Sequence, residues 1–84
     1  MFYVYIIQSQ INQKLYFGYT GNLKRRFLEH NIGKSNATKR NKPYVLIYYE
    51  AYQSRQDAFL REKQLKHYGK SLAMLKKRIK NSLA

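Results

Sequence analysis

Cysteine and tryptophan are absent from these 84 residues, proline occurs once, glycine four times, and only four residues are acidic. Without cysteine there is no disulfide, no disulfide-linked partner and no thiolate-ligated zinc, so the fold must stand on its apolar core. Without a proline- or glycine-rich tract, a repeat or a biased stretch, nothing marks a linker, and residues 1–84 are expected to form one domain. No apolar run approaches the roughly 20 residues of a membrane-spanning helix. The opening MFYVYIIQSQ lacks a basic leader and a small-residue cleavage site, so it reads as a strand, and a cytoplasmic protein away from membranes is expected.

The scarcity of acid throws the bases into relief. Seventeen lysines and arginines leave a formal charge of +13, more than solubility requires and self-repelling unless an anion relieves it. Nine tyrosines and four phenylalanines accompany the charge. Some of these rings suit a half-buried pleated surface and others can stack on bases, so the expected polyanion is nucleic acid, DNA foremost.

The apolar pattern predicts the order β-β-α-β-α-α, an α+β fold with a small three-stranded antiparallel sheet flanked by helices. FYVYII is β-branched and aromatic on both faces, and LYFGY should pair with it as a hairpin across SQINQK. Asn22 is a good cap for a helix from Leu23 to about Ile32, closed by Gly33. GKSNATKRNKP has no periodicity and reads as a basic loop. The continuous run YVLIYYEAY suggests a central or doubly covered strand. Ser54 and Asp57 resemble a capping box for a helix to about Tyr68, where Gly69 should stop it, and SLAMLKKRIKN makes a short basic helix.

At 100° per residue, Leu23 and Phe27 mark the buried side of the first helix, with Arg26 and His30 stacked together on one flank and Arg25 pointing away. In the second helix Glu62 falls in projection between Ala58 and Leu65, a carboxylate inside an apolar stripe, while Leu60 and His67 face outward. Spacing alone leaves two accounts open. Arg26 and Glu62 could form a structural ion pair, with His30 an ordinary contact at a helix end, or the three could belong to a site.

The segments YVY at 3–5 and YFG at 16–18 resemble the two tripeptides of the GIY-YIG nuclease superfamily, NLKRRFLEH resembles its following helix, and LREKQLK resembles its last element. The likeness spans nearly the whole chain and is greatest to the small stand-alone bacterial branch. It implies hydrolysis of a phosphodiester with a divalent metal, Mg2+ or Mn2+. It places Tyr5 and Tyr16 in the tripeptides, Arg26 as the catalytic arginine, Glu62 as the sole metal-binding carboxylate, and His30 near the attacking water. Tyr3 and Val4 depart from the usual Gly and Ile, and the asparagine that many members carry after the last helix has no clear counterpart.

The chemistry of that set is coherent. A fixed guanidinium stabilises charge on phosphoryl oxygens, and one carboxylate suffices for magnesium, which keeps several waters. A phenol has a reference pKa of about 10, so Tyr5 or Tyr16 would need nearby positive charge to act as a base. Gly18 is expected to permit a close approach of a phosphate or of the chain. Lys24, the loop cations Lys34, Lys39, Arg40 and Lys42, and the tail cations Lys76, Lys77, Arg78 and Lys80 are expected to hold the phosphate backbone. The leading expectation is a metal-dependent DNA endonuclease. The alternatives are a non-catalytic module that binds DNA or structured RNA and, more weakly, a domain that recognises acidic protein partners.

Overall fold

The computed structural model describes residues 1–84. β1 (Phe2–Ser9), β2 (Leu15–Thr20) and β3 (Tyr44–Tyr52) form an antiparallel sheet in the order β2-β1-β3, and α1 (Leu23–Asn31), α2 (Arg55–His67) and α3 (Gly69–Arg78) complete the chain. No helix is long and apolar enough to cross a membrane.

The expected composition of the sheet is found, but its order corrects one expectation. β1, not β3, is central, with Val4, Tyr5, Ile6 and Ile7 all buried. β3 is an edge strand whose Val45 and Tyr49 are exposed. Tyrosine reads as apolar in a pattern yet tolerates a wet edge, because its ring packs while its hydroxyl stays solvated.

Period-two alternation splits β1 between two cores. Val4 and Ile6 join Ala58 and Leu65 of α2 and Leu75 of α3 on one face. Tyr5 and Ile7 join Tyr44 on the other, packed by Tyr16, by Leu23 and Phe27 of α1, and by Leu46. Register sets Tyr5 opposite Gly18 of β2 and Tyr49 of β3. Gly18 is the slot into which the Tyr5 ring folds: a Cβ there would lie 2.9 Å from ring Cε1 and closer still to the hydroxyl end. The expected close approach is thus made by Tyr5 itself. Gly18→Ala is expected to displace that ring and to cost about 1–3 kcal/mol by overpacking. Urea unfolding at unchanged m-value checks this, and wild-type stability would contradict it.

The helix ends are partly as expected. The Asn22 side chain accepts from the Arg25 amide, and Gly33 takes φ 85 just after α1. Ser54 occupies the cap of α2 without a side-chain hydrogen bond, so the capping box does not form. Gly69 does not end a helix but begins α3, since extended Tyr68 alone separates α2 from α3.

Candidate active site

Tyr5 of β1 and Tyr16 of β2 face the α1 side of the sheet, and α1 lays the flank carrying His30 over them. His30 is fully buried, and its partners are side chains of other elements, not the end of its own helix. Its Nε2 is 2.7 Å from the Tyr5 hydroxyl and its Nδ1 is 2.7 Å from Thr38 Oγ1. The Tyr16 ring meets the imidazole edge-on at 5.1 Å between centroids. Both nitrogens are therefore occupied, and the basic loop is tied through Thr38 to the strand tyrosine.

Burial, and then the nearby Arg26 charge, push the His30 pKa down to about 4. Between pH 6.5 and 4 the unfolded chain takes up a proton that the folded chain refuses. Stability is thus complete above about pH 6.5 and is lost as pH falls, by about 2 kcal/mol between pH 6.5 and 4.5. Chemical denaturation across that window checks the sign, and a flat profile would contradict it.

The positive charge that Tyr5 would need to act as a base is present in Arg26 but does not prevail. Burial pushes the Tyr5 pKa up to about 12, although Arg26 pulls the other way. The Tyr5 hydroxyl stays protonated, whereas Tyr16 is only half-buried.

Arg26 is also half-buried, held by Nη1 donating to Glu29 Oε1 at 3.1 Å and Nη2 donating to Ser35 Oγ at 3.4 Å. Arg25 is exposed and reaches Glu29 only at 3.9 Å, so the expected helical phase is the observed one. Burial disfavours the Arg26 charge, but Glu29 and the adjacent Tyr5 outweigh it and hold the guanidinium firmly ionised.

Glu62 stands on α2, whose buried residues belong to the opposite core. Its partner is Lys66 at 3.5 Å, one helical turn on, and the Lys66 Nζ lies 5.9 Å from the centre of the Tyr16 ring. The structural ion pair between Arg26 and Glu62 is not formed, because each has a different partner. Glu62 is 13% exposed, and its charge is felt at Tyr5. No cluster of three His, Asp or Glu side chains makes an all-protein metal cage. A lone, mostly buried carboxylate is nevertheless a hard oxygen donor of the kind that suits a largely hydrated Mg2+ or Mn2+, so Glu62 is the residue that could hold one, His30 being already engaged.

Tyr5, Tyr16, Arg26, His30 and Glu62 are thus brought together from four elements. The cations divide. Lys34, Lys39, Arg40 and Lys42 are exposed on the loop that carries Thr38, beside the site. Lys76, Lys77, Arg78 and Lys80 are exposed at the end of α3, in the layer on the other face of the sheet. Lys24 is exposed on the first turn of α1.

The pattern reading missed several supports. Glu29 and Lys66 stand three and four residues from Arg26 and Glu62, a spacing that helical geometry exposes. Ser35 and Thr38 lie in an aperiodic loop that offers no such signal. Remote from the site, Glu50 accepts from Arg61 Nε at 3.0 Å and from the hydroxyls of Tyr48 and Tyr52, its alternate neighbours on β3. Burial would raise the Glu50 pKa, but these donors, Arg61 foremost, hold it below the ordinary carboxylate value.

Comparison with known proteins bears on the same arrangement. The family model described as the GIY-YIG catalytic domain matches residues 1–78. A UPF0213 protein of Staphylococcus haemolyticus is 39% identical over 79 residues, covering 90% of this chain and 95% of its own length. Another from Haloquadratum walsbyi is 37% identical over 67 residues, covering 79% and 74%. The solution NMR structure of a UPF0213 protein from Bacillus halodurans has a similar fold, with a TM-score of 0.54 and 32% identity over 90% of this chain and 86% of that one.

Proposed function

The chain belongs to the GIY-YIG family, a nuclease superfamily, and from that premise we propose that it is a metal-dependent endonuclease acting on DNA, with residues 1–84 working as one domain. The observation that carries this reading is that Arg26 and Glu62, unpaired with each other, both act on the buried Tyr5 hydroxyl, with Glu62's partner Lys66 over the Tyr16 ring.

In the proposed reaction water attacks phosphorus in line, and the bond to the leaving oxygen breaks as negative charge spreads over the phosphoryl oxygens. Arg26, pre-oriented by Glu29 and Ser35, donates to those oxygens. Tyr16 is the candidate base that takes the water's proton, since it is more open than Tyr5 and has the Lys66 cation over its ring. The Tyr5 hydroxyl and the neutral His30 ring act as a buried, hydrogen-bonded pair that fixes the geometry of the Tyr16 edge. A divalent cation bound at Glu62 would supply Lewis acidity toward phosphate oxygens. Lys34, Lys39, Arg40 and Lys42 would hold the strand entering the site, and the α3 cations would serve a second backbone contact on the far face.

Supercoiled, branched and single-stranded DNA, each incubated with purified protein with magnesium or with EDTA, tests the proposal. Magnesium-dependent products are expected from at least one substrate. Salt-sensitive binding without products under any divalent condition would instead select the non-catalytic binding module.

A further inference from the structure

On the flank of α1 away from Arg26 lies a groove of about 500 Å³ that the catalytic arrangement does not use. Its walls are Leu23 and Phe27 of α1, Leu46 and Tyr49 of β3, and Tyr3 of β1, with Lys24 at the rim. Tyr49 is 53% exposed and meets Tyr3 edge-on at 6.0 Å between centroids. Tyr49 is also the cross-strand partner of Tyr5, so the groove adjoins the site through a single register step of the sheet.

We infer that this groove is a subsite for one unpaired nucleobase, whose flat face stacks on Tyr49 while its phosphate reaches Lys24. The inference rests on the nucleic-acid reading above and narrows it to substrates with a single-stranded segment. A base inside a duplex keeps both faces stacked and cannot enter a recess on the protein. Three features favour this occupant. The groove joins an exposed aromatic face to an apolar floor, the combination that stacks bases without regard to sequence. Lys24 is the only charged residue in its lining, so an anion meets no carboxylate there. A second copy of the chain would bring another +13 charge against the first, whereas a nucleotide brings the opposite sign.

Fluorescence anisotropy with a short fluorescein-labelled DNA single strand and its blunt duplex, in EDTA so that cleavage does not intervene, tests the inference. Tyr49→Ala should weaken single-strand binding about fivefold or more and change duplex binding by less than about twofold, while Tyr49→Phe, which keeps the ring, should bind as the parent does. Equal weakening of both DNA forms, or no change in either, overturns the subsite. So does self-association in sedimentation that Tyr49→Ala abolishes, which would make the groove an interface between copies. Plasmid nicking by the parent protein reads the wider proposal separately. Intact nicking with no Tyr49 effect removes the subsite alone, whereas a parent that neither binds nor nicks DNA removes both.

Discussion

Arg26→Ala is expected to slow DNA cleavage by about a thousandfold, the scale on which a fixed arginine stabilises phosphoryl charge, while Arg25→Ala weakens binding slightly and leaves the cleavage step intact. The two residues are adjacent in sequence and equal in charge, so the contrast isolates geometry. Arg26 is half-buried, anchored to Glu29 and Ser35 and close enough to Tyr5 to bias its ionisation. The Arg25 side chain is 72% exposed and pairs with Glu29 alone, at 3.9 Å. Arg26→Lys should recover part of the rate, because an ammonium keeps the charge but loses the planar fork that spans two oxygens. Single-turnover cleavage with protein in excess measures the chemical step apart from binding. Equal and mild losses for both alanine variants would mean that the inward flank of α1 does not face the reacting phosphate.

Glu62→Gln is expected to remove magnesium-dependent cleavage while leaving the fold and DNA binding intact. Glutamine keeps the shape and most of the hydrogen bonding but not the negative charge that a hard cation requires. The structure makes the stability half of this expectation specific. Glu62, itself mostly buried, pairs with the more open Lys66 one turn along the helix, not with Arg26. Neutralising it therefore strands no buried guanidinium, and the cost should stay below about 1 kcal/mol. Binding should be unchanged or slightly tighter, since one acid near the phosphate path is gone. A thermal melt and a binding isotherm beside the cleavage assay read all three quantities. A large loss of stability would make Glu62 a structural residue, and cleavage at the parent rate would remove it from the metal site.

How much of this was legible in the sequence depends on what each residue does. The flank of α1 that carries Arg26 and His30 follows from the positions of Leu23 and Phe27, because helical phase is rigid and two anchors define it. The inward place of Glu62 follows from Ala58 and Leu65 in the same way. Strand order did not follow. YVLIYYEAY looks more continuously apolar than FYVYII, yet four successive fully buried residues belong to β1, because tyrosines on β3 mix packing with exposure. The Thr38–His30–Tyr5 hydrogen-bonded chain was also invisible, since a loop without periodicity gives no direction to its side chains. Burial of Tyr5 in the core around that chain keeps its hydroxyl protonated despite the Arg26 charge, and the proposed role of base passes to Tyr16. Whether phosphate or chain makes the close approach at Gly18 does not follow from the sequence, because the pairing of Gly18 with Tyr5 is a matter of register, which two strands and a turn leave undetermined until they are paired.

The most direct test of the account is the rate of supercoiled-plasmid nicking by the parent protein as magnesium is titrated from EDTA upward, with the Glu62→Gln protein run in parallel. The account predicts no nicking in EDTA, a rate that rises with magnesium and saturates for the parent, and none at any concentration for Glu62→Gln. A parent protein that binds the plasmid yet never nicks it with magnesium or manganese, or that nicks it equally in EDTA, would contradict the account.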